Sequence, residues 1–311
     1  MARRALGAAT LAVVQAVETL ACEPWLVACS GGADSLALAW AARHVASRRG
    51  TPVRALVVDH GLQPGSDAVA AAVRARLAGF GLEASVAAVT VPEGRAGPEA
   101  SAREARYQAL SDAISPGESV LLGHTRDDQA ETVLLGLARG AGLAALSGMR
   151  AERGPFRRPL LDLPRTTTAD ACAELGLEPW HDPMNADRRY ARVRVREVVL
   201  PVLEAELGPG IRDALARSAR LLGETHSLIA VLADETEPGC EADCRHLAGL
   251  APGVRRQLIL EWLRDQGVRD VATVHVDAVE RLVMAWRGQK GVDVPGGRVS
   301  RRDGRLYVTL R

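Results

Sequence analysis

Four short apolar runs, residues 25–29, 53–58, 84–91 and 119–123, alternate with four stretches of helical period, 35–48, 67–80, 98–114 and 127–138. Short continuous apolar runs suit strands buried on both faces, and longer periodic stretches suit the helices that cover them. Alternation of this kind predicts an α/β fold, a doubly wound parallel sheet with helices on both sides. Ligands of such sheets sit beyond the carboxyl ends of the strands. Those ends carry residues 30–35, Asp59-His60-Gly61, the segment 91–98 and residues 124–128, so one rim collects the polar motifs.

The first of these strand ends reads Ser30-Gly31-Gly32-Ala33-Asp34-Ser35. Two glycines allow a tight turn and a close approach of backbone to ligand. The following helix start offers unpaired N–H groups and a positive dipole end, which together suit an anion such as phosphate. Ser30 and Ser35 add hydroxyls, and Asp34 adds a carboxylate suited to Mg²⁺ shared with phosphates. A Gly-Lys-Ser/Thr ending is absent, and Lys290 is the only lysine of the chain. Any phosphate cradle here therefore relies on backbone, hydroxyls, metal and arginine. A glycine turn serving strand-to-helix geometry alone is the bland alternative.

The length of 311 residues suits two domains, and 47% apolar with 25% charged residues describes an ordinary globular chain. Only 3% of residues are aromatic, so the core must be aliphatic. A net charge of +1 argues against a uniformly basic nucleic-acid binder but leaves room for a basic face. The five cysteines are scattered, with Cys240 and Cys244 spaced CxxxC and lacking a second pair, so a reducing, cytoplasmic setting is the simpler reading. The start, residues 1–14, resembles a leader, yet Gln15 and Glu18 keep it amphipathic, and a short helix packed on the first domain is expected. No run approaches the ~20 apolar residues that cross a bilayer.

The fourth strand end, Gly123-His124-Thr125-Arg126-Asp127-Asp128-Gln129-Ala130-Glu131-Thr132, opens a helix. Asp127 falls at its N-terminus, where a carboxylate is stabilised. Asp128 and Glu131 share a face and suit Mg²⁺ or a cationic amine, unless they are merely a solvated acidic face. Arg103 and Arg106 also share a helix face. Beyond Met149 the chain turns rich in arginine and proline. A helix over 166–175, a loop over 178–187, and a long helix over 190–207 with a kink at Pro201 follow. Pro209-Gly210 marks the domain boundary. Residues 211–311 read as mainly helical, with short strands over 291–311.

The hexapeptide at 30–35 resembles the pyrophosphate loop of the N-type ATP pyrophosphatases, which cleave ATP to AMP and pyrophosphate. The string at 123–132 closely resembles the Gly-His-x-x-Asp-Asp-Gln-Ala-Glu-Thr segment of tRNA(Ile)-lysidine synthetases. Further similar stretches follow in order: residues 137–149 with Arg139-Gly140, then Arg158-Pro159-Leu160-Leu161, then Asp182-Pro183-Met184-Asn185 with Tyr190 and residues 192–196. Met184, Val193, Thr125 and Ala145 replace the family's usual serine, asparagine, second histidine and glycine. The resemblance covers about residues 25–207 and is weak from 211 onward.

The resemblance implies a PP-loop, Rossmann-like catalytic domain over 1–207 and a mainly helical tRNA-binding domain over 208–311. It implies ligation of L-lysine to C2 of the wobble cytidine of tRNA(Ile) with a CAU anticodon, consuming ATP with Mg²⁺ through an adenylated cytidine. ATP and its pyrophosphate would be held by Ser30, Gly31, Gly32, Ala33, Asp34, Ser35, Asp59, His60 and Arg103. Asp34, His124, Asp128, Glu131 and Arg196 would be the catalytic set. Asp128 and Glu131 would receive the lysine amine, and Asp34 with Asp127 the metal. The tRNA face would include Arg158, Arg192 and Arg194 within the clusters 150–165 and 188–196, joined by 212–220 and 298–305. The oligomeric state stays open between monomer and homodimer. The competing readings are a PP-loop tRNA thiolase, which would need a CxxC pair near the site, and a non-catalytic nucleotide sensor.

Overall fold

The computed structural model describes residues 5–61, 63–91, 98–236 and 242–311, with only the backbone of 98–100 described. Most of the expected 91–98 strand-end segment and Cys240 lie outside the described residues. The chain divides into two compact units, one of residues 1–132 and 149–216, the other of 133–148 and 217–311.

The first unit is built on a six-stranded sheet in the order β3-β2-β1-β4-β6-β5. Strands β1 (Trp25–Ala28), β2 (Val53–Asp59), β3 (Ala84–Ala88) and β4 (Ser119–Leu121) run parallel. Between them run α2 (Ala33–Arg49), α3 (Ser66–Gly79) and α4 (Pro98–Ala113), and α5 (Arg126–Ala138) follows β4. Side-chain alternation along a strand explains the two apolar layers. Trp25, Val27, Ala55, Val57 and Leu121 face one cluster with α2 and α3, while Leu26, Leu56 and Val120 face another with Leu110 of α4. The chain leaves β1 toward β2 and β3, then returns to β4 on the other side of β1. That reversal opens a crevice beyond the ends of β1 and β4.

The N-terminal helix α1 (Ala8–Glu18) lies against α2 and α7 (Arg165–Leu175). Its N-cap, Gly7, has no side chain to offer, and Glu174 of α7 supplies the acceptor instead, 2.8 Å from the Thr10 N–H. The hairpin β5 (Glu152–Arg153) and β6 (Phe156–Arg157) was not anticipated; β6 extends the sheet parallel to β4. Two-residue strands leave too short a pattern to read. The kink expected at Pro201 takes the form of a π-helical turn over 195–199, between α8 (Ala191–Arg194) and α9 (Leu200–Leu207). Widening the turn relieves the clash of the proline ring with the preceding carbonyls.

The second unit holds a short helix α6 (Leu143–Leu146), most of α10 (Ile211–Asp234), and the helices α11 (Cys244–Gly249), α12 (Pro252–Asp265) and α13 (Thr273–Met284). An antiparallel sheet of β7 (Val292–Val294), β8 (Gly297–Arg302) and β9 (Arg305–Leu310) ends the chain. Val276, Val279, Leu282 and Val283 recur at helical spacing on α13 and pack with Ile259, Leu263 and Val299. Among the described residues, no helix is long and apolar enough to cross a membrane.

Candidate active site

The turn after β1 closes on itself through one hydroxyl. Ser35 donates to the Gly32 carbonyl (2.9 Å) and accepts from the Ser30 N–H (3.2 Å), while the Ser30 and Ser35 hydroxyls lie 3.3 Å apart. Gly31 has φ +86°, and a Cβ there would sit 2.4 Å from Val73 Cγ2. Only glycine fits that position. Gly32 is the N-cap of α2 and supplies no side-chain cap. The first amides of α2 thus keep their donors for a ligand.

The turn after β4 comes against the first. A Cβ on Gly123 would lie 3.0 Å from the Asp34 carbonyl, so glycine here lets the two strand ends meet. Asp128 is buried and accepts from the Thr125 N–H (2.8 Å) and hydroxyl (2.9 Å). Thr125 therefore fixes this carboxylate.

Between the two turns lies Arg165, the first residue of α7. Its Nε is 3.4 Å from Asp34, its Nη2 2.6 Å from Asp128 and its Nη1 3.3 Å from Glu131. The Asp34 carboxylate also accepts from the Thr168 hydroxyl. Burial raises the Asp34 pKa, and Arg165 with Thr168 only partly opposes this. At Asp128 burial also pushes upward, but Arg165 and the Thr125 bonds outweigh it and the net shift is downward. Glu131 is fully buried and is gripped by Arg196 at 2.7 and 3.1 Å, with Arg192 at 3.7 Å.

On the other side of the crevice, the β2 end brings His60 to Arg106, whose Nε donates to His60 Nε2 at 3.2 Å. An Nε2 that accepts leaves the proton on Nδ1, which is buried with no partner among the described residues. His124 Nδ1 is likewise buried without a partner, and burial drives the His124 pKa down to about 3. It is a neutral imidazole at any physiological pH. Arg103 stacks over Tyr107 at 5.0 Å, and the Tyr107 hydroxyl accepts from Arg103 and Arg158, each at 3.2 Å. Among the described residues, Arg103, Arg106 and Arg158 have no carboxylate within ion-pair distance. Arg103 and Arg106 make this wall of the crevice cationic, with Arg158 buried behind Tyr107.

These walls enclose a cavity of about 870 Å³, within the usual size range of small-molecule sites. Ser30, Gly32, Ala33, Asp34 and Ser35 line it, as do Asp59, His60 and Arg103. His124, Asp128, Arg192 and Arg196 complete the set of anticipated residues on its surface. Five others do not line it. Gly31 turns its carbonyl to the Trp180 N–H at 2.9 Å. Glu131 lies behind the arginines. Asp127, expected with Asp34 at a metal, instead accepts from the Arg165 N–H (2.9 Å) and pairs with Arg212 (3.2 Å). Arg158 is buried, with its Nη1 on the Arg150 carbonyl. Arg194 donates to the Arg188 and Arg189 carbonyls. No group of three or more metal-ligating side chains occurs among the described residues. Asp34 alone still fits Mg²⁺, which is commonly held by one or two carboxylates plus phosphates.

Sequence reasoning placed Arg165 on an RNA-facing stretch and missed its role in the site. A signal existed, since a cation at the first helical position opposes the dipole and invites an explanation. Thr168 and Tyr107 carried no local signal at all.

Residues 9–203 match the PP-loop domain family, and residues 243–307 match the TilS substrate binding domain. The tRNA(Ile)-lysidine synthase of Cutibacterium acnes is 47% identical over 317 residues, with all of both chains covered. That of Salinispora arenicola is 50% identical over 92% of this chain and 90% of its own, and that of Thermobifida fusca 48% over 91% of each. Among solved structures, the U34-tRNA thiolase NcsA of Methanococcus maripaludis, with its [4Fe-4S] cluster, aligns at TM-score 0.55. It covers 75% of this chain and 80% of its own at 19% identity, a likeness of fold alone.

Proposed function

The chain belongs to the tRNA(Ile)-lysidine synthetase family of PP-loop enzymes, and from that premise we propose how its cavity carries out the reaction. It is a ligase that forms lysidine on tRNA(Ile), with ATP as co-substrate. The observation that carries the mechanistic reading is the meeting of the open amides at 30–35 with His124 and Asp128 on one cavity.

The amides of Gly32 to Ser35 and the Ser30 hydroxyl receive the ATP phosphates, and the backbone around Asp59 and His60 receives adenine. Asp34 would hold Mg²⁺ together with the phosphates, and the ion would supply charge neutralisation at their oxygens. The C2 oxygen of the wobble cytidine attacks the α-phosphorus, and the bond to pyrophosphate breaks. Arg103 and Arg196 face the charge that builds on the phosphate oxygens. His124, neutral throughout, contributes a hydrogen bond and no proton. The lysine ε-amine then attacks C2, the C2–O bond breaks, and AMP departs. Asp128 orients the incoming ammonium and relays its proton to solvent, since its lowered pKa makes it a poor place for the proton to stay. Glu131 acts from behind by fixing Arg196 and Arg192 in the cavity wall. Holding three substrates in one crevice supplies much of the rate.

Residues 1–207 carry this chemistry, and residues 208–311, with Arg158, Arg192 and Arg194 of the first part, favour the tRNA. The cytoplasm, where tRNA is modified, is the proposed place of action, as monomer or homodimer. The thiolase alternative fares poorly: Cys29 is the one cysteine on the cavity wall among the described residues, and burial raises its pKa and keeps it a thiol. The test is incorporation of labelled lysine into tRNA with a CAU anticodon. ATP-dependent label in wild type, lost in Asp34→Ala and Asp128→Asn, is the expected result. Pyrophosphate release without label would retain the adenylation and displace lysine as the amine.

A further inference from the structure

Arg165 stands where the electrostatics of its own helix disfavour a cation, at the first position of α7. What compensates comes from two distant motifs. Asp34 belongs to the turn after β1, whereas Asp128 and Glu131 belong to α5 after β4, and one guanidinium touches all three at 3.4, 2.6 and 3.3 Å. The main-chain N–H of the same residue holds Asp127 at 2.9 Å. A planar fork with five donors can serve several carboxylates at fixed angles, which the point charge of an ammonium cannot.

The three carboxylates do not depend on Arg165 equally. Glu131 keeps Arg196 at 2.7 Å and Arg192 at 3.7 Å whatever happens to Arg165. Asp128 has only a distant second cation, Arg196 at 3.9 Å. Asp34 has no other cationic partner within ion-pair distance among the described residues. Removing the guanidinium thus leaves two like charges, one from each turn, without their shared counter-ion.

We propose that Arg165 is a positioning residue that locks the ATP-holding turn to the amine-orienting helix, and is not an RNA contact. The inference rests on the reading of the cavity given above. Through Asp34 it sets the site of adenylation, and through Asp128 the site of amine attack, so both steps depend on one side chain. A displacement of about 1 Å in such a constellation costs about 100-fold in rate.

The experiment uses the full chain as wild type, Arg165→Met and Arg165→Lys. Adenylation is read as tRNA-dependent exchange of pyrophosphate into ATP, transfer as labelled lysine on tRNA, and RNA affinity by filter binding. The expected result for Arg165→Met is a kcat about 100-fold lower in both steps, with the KM for ATP and the tRNA Kd unchanged. Arg165→Lys should recover part of each step, because it keeps the charge without the fork. Weakened tRNA binding with kcat intact at saturating tRNA would overturn the proposal and make Arg165 an RNA contact. Loss confined to one step would overturn the coupling. If the Met variant does not fold, the Lys variant decides alone: lowered kcat in both steps at unchanged tRNA Kd supports the proposal, and wild-type kcat overturns it. Absence of lysine transfer in the wild type would instead strike the functional reading, and the exchange assay would still report on Arg165.

Discussion

Two adjacent glycines in the phosphate turn have different reasons to be glycine. At Gly31 a Cβ would be strained by φ +86° and driven into Val73, whereas at Gly32 it would meet only Ser30 Oγ at 3.9 Å. Gly31→Ala should therefore lower stability by about 1–3 kcal/mol, read in a denaturant titration, along with activity. Gly32→Ala should leave the unfolding midpoint unchanged and raise the KM for ATP, because its methyl occupies the phosphate cradle. His124 gives a pH prediction. Its native pKa of about 3 lies below the ordinary value of 6.5, so between those values the unfolded chain binds a proton that the native state refuses. This contribution to stability is present above pH 6.5 and is lost as pH falls toward 3. Unfolding midpoints measured across that window should fall less steeply in His124→Gln.

At the scale of elements, α5, α7, α8 and the π-helical turn before Pro201 together build a buried ionic cluster. Glu131 from α5 is its hub, with no surface exposed and three arginines around it, one each from α7, α8 and the π-helical turn. Taking one partner from a buried network costs about 3–5 kcal/mol. Glu131→Gln should lose an amount of that order in a urea titration, and should lower kcat while leaving the KM for lysine nearly unchanged. A large rise in that KM with kcat retained would place the amine on Glu131 itself.

At the scale of the whole molecule, a chain of net charge +1 has to meet a polyanion through local clusters. Binding of tRNA(Ile) should then weaken log-linearly with salt, with a slope of about −0.7 for each phosphate contacted on single-stranded RNA. Filter binding between low and high salt measures it. The KM for lysine should show no comparable slope, since one amine releases few counterions.

The parallel sheet, its four main strands and the two polar turns were legible in the sequence because each is a local property. Periodicity of apolar residues selects strand or helix within about a dozen positions, and a glycine turn between them carries its own chemistry. The strings at 30–35 and 123–132 fall on β1 and β4 ends for that reason. Their meeting was not local, since it follows from the strand order that puts β4 beside β1. Choice of ionic partner was less legible still. Arg165 lies 37 and 34 residues from Asp128 and Glu131, and Thr168 lies 134 residues from Asp34. Among so many arginines, the place of Arg165 at a helix start marks it as unusual but does not say which acids it meets. Distance in space decides which charges pair, and only the packed sheet and helices set that distance. The sequence by itself determined the family, the fold class and the turn that receives phosphate; tertiary structure decided which acids face the cavity and which arginine joins them.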